Sequence, residues 1–577
     1  MGDFEGLLID SADRVLRGAF ILFERWFDIP PEYSGADNLW RTDFESGYTF
    51  ADCVYTRVSP RNNVADIKVP WELGRLQHLM PVAVACAVTR DQRYLDSFRE
   101  IVSGFAAANP LGRGVQWVCT MEVGIRAFNI LVSFEAVRPS LEEDDELHAL
   151  VAYLAFTHAE HIMANLETSA RLQENNHYVA DLLGLAAVAS HYPSHPRSRA
   201  WGGYATKELM RCARKQILED GCCFERSTRY TRLVGEMLFY AGKTLARTEF
   251  ALPVAYWDRL ALLSSFLDTV TDDAGHSPQV GDNDSGRVMP LSAEAFGDLR
   301  LCGRLVARER GTLTLDDPAL FAEEALIYGA GSRANELPSR GDSVAVFPAA
   351  GMALASIDGF SLGFFAVDAF DEWSEAGHAH NDKLSITLAI DGRALLVDPG
   401  TGVYTRNTAL RDRLRSTAQH STLWFEGVEQ NDFRGLFGYT RRGGASLRRL
   451  QSDSREVFWG ETDCYVTTVG CVHARTVEIA EDGVVVADQL IGSTGGLVAT
   501  RSFVLDPNVS LRTVNERSIC MAVAGTEALL TSNAPLKVRK GFYSSRYGDV
   551  EETRILDTLY VENEENVVRI TRTKHAD

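Results

Sequence analysis

The spacing of apolar side chains changes character near residue 340 of this 577-residue chain. Before that point, apolar residues recur three and four positions apart, which places them on one face of an α-helix. Such runs lie within residues 76–83, 125–134 and 147–154, and segments that contain Pro or Gly separate them. Because they follow one another without strong strand patterns between them, the sequence predicts helical hairpins packed into a solenoid or a closed toroid.

After residue 340, apolar and polar residues alternate, as expected for half-buried strands. Residues 343–347, 384–390 and 483–487 have this pattern, and Gly392 marks a tight hairpin turn. Many short strands separated by turns favour an antiparallel β-sandwich. We therefore predict an α+β multidomain chain with a helical domain in residues 1–335, a linker within residues 329–342 and a β-sandwich domain in residues 341–577.

Composition and charge narrow the class of protein. Hydrophobic residues make up 45% and charged residues 24%, which excludes a disordered or fibrous chain. Lys and Arg total 58 against 79 Asp and Glu, for a net charge of −21. That balance argues against a nucleic-acid partner, because phosphate neutralisation needs a basic surface. An anionic substrate would need a local basic groove.

Cysteine spacing and the N-terminal sequence indicate the cellular compartment. The ten Cys are scattered without a CxxC motif, which is typical of a reducing compartment. The N-terminus carries acids where a secretory signal would be basic, and no apolar stretch has the length of a membrane span. We expect no membrane span and a cytoplasmic location, or a periplasmic one if a leader has been removed.

Two polar clusters interrupt the helical region. Asn175, Asn176 and His177 precede an apolar helical run, so they either cap that helix or point an amide and an imidazole into a cleft. Tyr230 lies in a segment with three arginines, whose charge would favour its phenolate unless the segment is simply a solvated basic helix face.

Residues 281–287 form an Asx-rich segment that lacks the downstream Glu of a calcium loop.

A third cluster has the residue types of a metal site. His378 and His380 share one face of an extended segment, Asp398 ends the following predicted strand, and His420 comes soon after. Two imidazoles and a carboxylate with an open position suit zinc or a similar divalent ion. A hydrogen-bonded polar network explains the same residues equally well.

The order and spacing of these segments resemble those of the heparinase II/III-type polysaccharide lyases and the related alginate lyases. The segments that carry the resemblance are residues 71–75, 109–117, 121–126, 175–177, 225–230, 281–287, 377–382, 398–401 and 415–420. The resemblance implies an incomplete (α/α) toroid followed by an antiparallel β-sandwich. It also implies β-elimination on a uronic-acid-containing polysaccharide or oligosaccharide, which leaves a 4,5-unsaturated uronate end.

The resemblance also implies roles for individual residues. Asn176 would hydrogen-bond the uronate carboxylate, Tyr230 would act as base and acid or as acid alone, and His177, His378 and Tyr404 are the other candidates for proton transfer. A structural divalent ion, expected to be zinc, would bind His380, Asp398 and His420. Residues that would line the sugar groove are Trp71, Arg75, Trp117, Glu122, Arg126, Asn175 and Arg229.

Two alternatives remain open on the same scaffold. A uronate C5-epimerase would abstract the same proton and return one instead of expelling O4. A non-catalytic glycan-binding protein would use the groove alone. The expected partner is an anionic polysaccharide or oligosaccharide, with a homodimer compatible with the sequence.

Overall fold

The structure is a computed structural model that describes residues 2–30, 32–33, 38–143, 145–168, 174–272, 275–291, 298–310, 327, 342–371, 374–452 and 454–573. The linker predicted within residues 329–342 and the domain boundary predicted at residues 335–341 lie outside the described residues, apart from residue 342. None of the ten cysteines forms a disulfide. No helix in the described part of the chain has the length and apolar character that crossing a membrane requires.

The first half of the chain is helical, as predicted. Its helices are α1 (Gly2–Leu16), α2 (Lys68–Gly74), α3 (Leu79–Thr89), α4 (Gln92–Ala108), α5 (Thr120–Val137), α6 (Glu146–Ala164), α7 (Asn176–His191), α8 (Pro196–Gln216), α9 (Thr228–Leu245), α10 (Val254–Val270) and α11 (Arg300–Glu309).

Helices α5 and α7 form the centre of this domain. Helix α5 packs on α3, α6 and α7, and α7 packs in turn on α8 and α9. The two central helices approach so closely that a Cβ on Gly124 would lie 2.2 Å from the Ala180 carbonyl oxygen. Glycine at that position therefore sets the distance between them.

This half also contains two short strand pairs that have no strong strand pattern in the sequence. A hairpin of β1 (Ala19–Leu22) and β2 (Arg25–Asp28) follows α1, and a second pair joins β3 (Thr42–Asp43) to β4 (Tyr48–Thr49). All four residues of β1 are buried. A strand that is short and buried on both faces produces no alternation for a sequence pattern to detect.

In the described residues from 342 onward, the second half is built from strands and one α-helix, α12 (Thr408–Leu414). The strands are β5 (Ser343–Phe347), β6 (Met352–Ile357), β7 (Phe360–Phe365), β8 (Phe370–Asp371), β9 (Ser374–Glu375), β10 (Ser385–Ile390), β11 (Arg393–Leu396), β12 (Leu423–Phe425), β13 (Asp432–Arg434), β14 (Gly438–Thr440), β15 (Ala445–Leu450), β16 (Glu456–Thr462), β17 (Cys471–Ala480), β18 (Gly483–Gly492), β19 (Ala499–Val504), β20 (Ser510–Asn515), β21 (Ser518–Val523), β22 (Thr526–Ser532), β23 (Leu536–Tyr543), β24 (Glu551–Leu559) and β25 (Asn566–Arg572).

Three of its sheets are large. They have the strand orders β11-β10-β7-β6-β5, β12-β19-β24-β23 and β15-β16-β17-β18-β25-β22-β21-β20, with antiparallel neighbours throughout. One apolar core lies between the five-stranded and eight-stranded sheets, and Leu362 and Val477 belong to it. This packing confirms the antiparallel β-sandwich that follows the helical toroid.

The helical core continues into the strand region. Phe347, Phe365 and Tyr404 pack in the same apolar cluster as the helices. The two halves therefore share a packed junction, and the cleft described next lies along it.

Candidate active site

A cleft of about 610 Å³ opens between the helical half and the β half. The residues from the sequence analysis that line it are Trp71, Arg75, Glu122, Asn175, His177, Tyr230, His378 and Tyr404. Side chains that are far apart in sequence and that were chosen on motif grounds thus share one concave surface, which is the usual setting of a binding or catalytic site.

Three helices of the toroid begin at this cleft. They are α5, α7 and α9, and residues in or just before their first turns line the cleft wall. Asn175 caps α7 by accepting a hydrogen bond from the His177 backbone N–H at 3.1 Å, and the Ser227 hydroxyl caps α9 by accepting one from the Tyr230 N–H at 3.1 Å. Helix N-termini carry partial positive charge, which offsets part of the negative charge of Glu122, Glu167 and Glu225 in the same lining.

Tyr230 and His378 are stacked at the junction. Their ring centroids lie 3.7 Å apart with 18° between the planes, and the Tyr230 hydroxyl lies 3.2 Å from the Tyr404 hydroxyl. Burial, followed by the Asp284 carboxylate and the neighbouring phenol, raises the pKa of Tyr230 well above its usual value. Tyr230 is therefore a neutral phenol that can donate a proton.

The expectation that nearby arginines favour a Tyr230 phenolate was wrong. The Arg226 Nε donates to the Ala349 carbonyl oxygen at 3.0 Å, and Arg232 Nη2 donates to the Gly286 carbonyl oxygen at 3.2 Å. Residues that adjoin Tyr230 in sequence diverge around α9, so their charges do not converge on its hydroxyl.

Asp282 connects the two histidines of the third cluster, and the sequence analysis did not identify its role. Its Oδ2 lies 2.9 Å from His378 Nδ1, and its Oδ1 lies 3.0 Å from His380 Nε2. Arg411 on α12 donates to Asp282 Oδ2 at 2.8 Å. Burial opposes ionisation of Asp282, but the guanidinium and the two imidazoles hold its pKa far below the usual range.

The loop that carries Asp282 is positioned by backbone contacts. Gly281 has φ +65°, and a Cβ there would lie 2.4 Å from the His378 carbonyl oxygen. Asn283 and Asp284 accept hydrogen bonds from the backbone N–H groups two residues ahead, at 2.9 and 2.8 Å. The Asx-rich turn predicted for residues 281–287 is confirmed. Asp282 belongs to this turn, so the sequence motif contained the residue although it did not indicate its role.

A buried charge network forms the floor of the cleft. Arg75 contacts Glu122 at 2.6 Å and Glu72 at 2.8 Å, while Lys68 contacts Asp284 at 2.9 Å. Burial raises the carboxyl pKa of Asp284, but the ammonium of Lys68 outweighs it and leaves the pKa at about 2. Arg75 and Glu122 neutralise each other, so they line the cleft as a pair rather than as separate charges.

Asn176 and His177 differ in accessibility. Asn176 is fully buried, and its Nδ2 donates to both carboxylate oxygens of Glu225, at 3.0 and 3.1 Å. The His177 side chain is 35% exposed, with Nδ1 3.1 Å from Glu167 Oε2. Burial lowers the pKa of His177, but the Glu167 carboxylate more than offsets this and raises it well above its usual value. His177 Nε2 has no hydrogen-bond partner among the described residues.

Three residues expected in the sugar groove do not line this cleft. Trp117 is buried and donates to the Asn109 carbonyl oxygen at 3.3 Å. Arg126 is fully buried, where it donates to Gln116, and Arg229 is half-buried outside the cleft lining. The placement of Trp117 and Arg126 in the groove was wrong, because a sequence motif does not show which face of a helix turns toward a cleft. The placement of Arg229 there stays a prediction.

The residues predicted to bind a metal lie together and are buried. His380 Nδ1 lies 3.3 Å from His420 Nε2, which lies 3.5 Å from Asp398 Oδ2. Tetrahedral zinc with bonds of about 2.0–2.2 Å separates such atoms by about 3.3–3.5 Å. The outer ring nitrogens bind Asp282 and the Ser416 carbonyl oxygen, the usual support for metal-binding histidines. The donor set therefore fits one divalent ion.

Comparisons with known proteins agree with this architecture. Residues 44–286 match the profile of the heparinase II/III N-terminus, and residues 340–571 match that of the heparinase II/III-like C-terminal domain. No curated protein sequence matches the chain.

Solved structures with the same fold include three lyases. Heparinase III is 16% identical with a TM-score of 0.66, over 87% of this chain and 77% of that one. The heparan sulfate lyase of Pedobacter heparinus is 18% identical with a TM-score of 0.56, over 99% and 83%. The chondroitin AC lyase of Streptomyces coelicolor A3 is 12% identical with a TM-score of 0.56, over 100% and 83%. At these identities the likeness establishes the fold.

Proposed function

Since the chain belongs to the heparinase II/III family, we propose that it is a polysaccharide lyase. It cleaves a uronic-acid-containing anionic polysaccharide or oligosaccharide by β-elimination and leaves a 4,5-unsaturated uronate end. One observation carries the proposal: a neutral phenol, Tyr230, is stacked on an imidazole, His378, inside a cleft where three helices present their N-termini. The relatives named above are lyases of such polysaccharides by name.

The reaction explains why these residue types are needed. The proton on C5 of a uronate is a poor acid, because its removal adds negative charge beside a carboxylate. A donor must first neutralise that carboxylate, a base must take the proton, and an acid must protonate O4 as it leaves. The cleft supplies one group suited to each task.

His378 is the proposed base. The ionised Asp282 accepts a hydrogen bond from its Nδ1–H, which leaves Nε2 as the ring nitrogen that can accept a proton. Tyr230 is the proposed acid, because its raised pKa keeps the proton on the hydroxyl until O4 develops charge. Tyr404, which shares a hydrogen bond with Tyr230, is the second phenol within reach.

His177 is the proposed carboxylate neutraliser. Glu167 engages Nδ1, so a protonated ring presents Nε2–H to the cleft. The Asn176 amide contributes only after its hydrogens leave Glu225, and we therefore assign the main contact to His177. Asn175, Trp71 and the Arg75–Glu122 pair are the proposed sugar contacts, because they line the same cleft.

A divalent ion held by His380, Asp398 and His420 would be structural in this scheme. It would supply a fixed positive charge. It would also hold His380, which lies two residues after His378, close to Asp398 and His420. Zinc is the proposed ion, because two imidazoles and one carboxylate suit it. We also propose that residues 1–335 form the helical toroid domain and residues 341–577 the β-sandwich domain. That the protein forms a homodimer stays a prediction.

The proposal is tested by screening alginate, heparan sulfate, hyaluronan, chondroitin and bacterial exopolysaccharides for a rise in ultraviolet absorbance from the unsaturated product. Tyr230→Phe is the matched control on the same panel. Absorbance that rises with the wild-type protein and not with the variant supports the lyase. Deuterium exchange at C5 without cleavage would instead identify a C5-epimerase, and binding without either reaction a glycan-binding protein.

A further inference from the structure

A second group of metal-ligating side chains lies in the cleft wall, apart from the buried His380 group. Cys119 precedes α5, Glu167 follows α6, and His177 is in the first turn of α7. Cys119 Sγ lies 3.6 Å from His177 Nδ1 and 3.9 Å from Glu167 Oε1, and His177 Nδ1 lies 3.1 Å from Glu167 Oε2. A thiol, an imidazole and a carboxylate thus face one point.

These separations match a tetrahedral ion. Zinc bonds of about 2.3 Å to sulfur and about 2.0–2.2 Å to nitrogen and oxygen place sulfur about 3.5 Å from either atom, and nitrogen about 3.3–3.4 Å from oxygen. The observed sulfur-to-nitrogen distance is close to the expected value, and the two Glu167 distances, which belong to different carboxylate oxygens, differ from theirs by a few tenths of an ångström. A small rotation of the Glu167 carboxylate would bring one oxygen to the ion. Three protein ligands leave one coordination position, and the His177 and Glu167 side chains, 35% and 28% exposed, open it toward the cleft.

The surrounding structure holds the ligands in place without an ion. Glu167 Oε2 accepts a hydrogen bond from the Met121 backbone N–H at 2.9 Å, and the Glu167 backbone N–H donates to Asp181 at 2.8 Å. Asn175 fixes the His177 backbone as the helix cap. Because three helix ends already define the positions, binding requires little rearrangement.

We propose that Cys119, Glu167 and His177 form a second divalent-metal site, suited to Zn²⁺, whose occupation inhibits the cleft. The thiol loses its proton to solvent on binding, and sulfur with imidazole selects a borderline-soft ion over Mg²⁺ or Ca²⁺. Metal on Nδ1 takes the place of the proton shared with Glu167, so the ring is no longer an imidazolium that can neutralise a uronate carboxylate. The inhibition rests on the proposed function, whereas the site itself does not.

Cobalt distinguishes this site from the other one. Titrating chelator-stripped, full-length protein with Co²⁺ should produce a near-ultraviolet thiolate-to-cobalt charge-transfer band that saturates by two equivalents per chain, because the stripped His380 site takes up one of them. The His380 site contains no sulfur and gives no such band. The band should disappear in Cys119→Ser and persist in His380→Ala and in the cysteine control Cys53→Ser. A wild-type protein without the band, or a band unchanged in Cys119→Ser, overturns the proposal.

Glu167→Gln gives a second test should Cys119→Ser fail to fold. It should keep the band while weakening Co²⁺ affinity about tenfold or more, since outer-shell changes alone reach that size; unchanged affinity overturns the ligand set. A separate test measures turnover on an active substrate. Excess Zn²⁺ should inhibit the wild-type protein but not Cys119→Ser, whose turnover without added metal should match that of the wild type. Equal inhibition of both contradicts the inhibitory role. If no polysaccharide is cleaved, the lyase proposal fails while the cobalt spectrum still decides the site.

Discussion

Replacing Tyr230 with Phe removes a single oxygen atom from the proposed acid. That hydroxyl contacts the Tyr404 hydroxyl at 3.2 Å, and the stacking on His378 involves the ring, which Phe retains. Losing one neutral hydrogen bond costs about 0.5–1.5 kcal/mol of unfolding free energy. Losing a proton-transfer group lowers the rate by about 10²–10⁴, which corresponds to about 3–5 kcal/mol of activation free energy.

Tyr404→Phe is the matched control, because it removes the same hydrogen bond from the other side. Both variants should lose similar stability in urea unfolding, but only Tyr230→Phe should lose nearly all turnover, with KM little changed in the absorbance assay. Tyr404→Phe should lose less than about tenfold. If Tyr230→Phe retains more than half of the wild-type rate, the assignment of Tyr230 as the acid is refuted. A large loss confined to Tyr404→Phe would transfer that role to Tyr404.

The other predictions concern charge, metal and pH. His177→Ala should lower kcat by about 10²–10³ with KM little changed, and more than Asn176→Ala does; the reverse order would return the neutraliser role to the amide. Elemental analysis of protein purified without chelator should find divalent metal, one equivalent of which His380→Ala loses; metal-free wild-type protein would identify a hydrogen-bonded network instead. Because its folded-state pKa is depressed from 3.8 to about 2, Asp284 stabilises the fold above the unfolded value by about 2 kcal/mol and loses this as pH falls toward about 2. The difference in urea unfolding free energy between wild type and Asp284→Asn should therefore shrink below about pH 4; a constant difference would contradict the buried pair.

Local patterns predicted the fold because burial imposes a period on the sequence. The helices near residues 125–134 and 147–154 and the strands at 343–347 and 483–487 are confirmed. The hairpin that begins at Ala19 was missed, because four consecutive buried residues have no polar face. The order of a helical domain followed by a β-sandwich was predicted from the change in apolar spacing near residue 340, from every three or four residues to every second residue.

Only part of the candidate site could be predicted from the sequence. The resemblance to the family, added to the residue types, selected His380, Asp398 and His420 as a donor set, which the geometry fits. Asp282 was not recognised, because its partners His378 and His380 lie about a hundred positions away and only the fold joins them. Trp117 was misplaced because a motif gives position along a helix, while the packing of neighbouring helices decides whether that position faces solvent or core.

Isotope analysis of the cleavage product tests the central claim most directly. The most reactive polysaccharide is digested in ¹⁸O-labelled water, and the fragments are analysed by mass spectrometry and ultraviolet absorbance. Elimination breaks the bond between C4 and O4 without adding water. The account therefore predicts an absorbing, unsaturated uronate end, no ¹⁸O in the unsaturated ring, and no more ¹⁸O in the other fragment than slow exchange at its reducing end introduces. Tyr230→Phe should yield no absorbing fragments. Fragments that carry ¹⁸O without unsaturation would show hydrolysis and contradict the account.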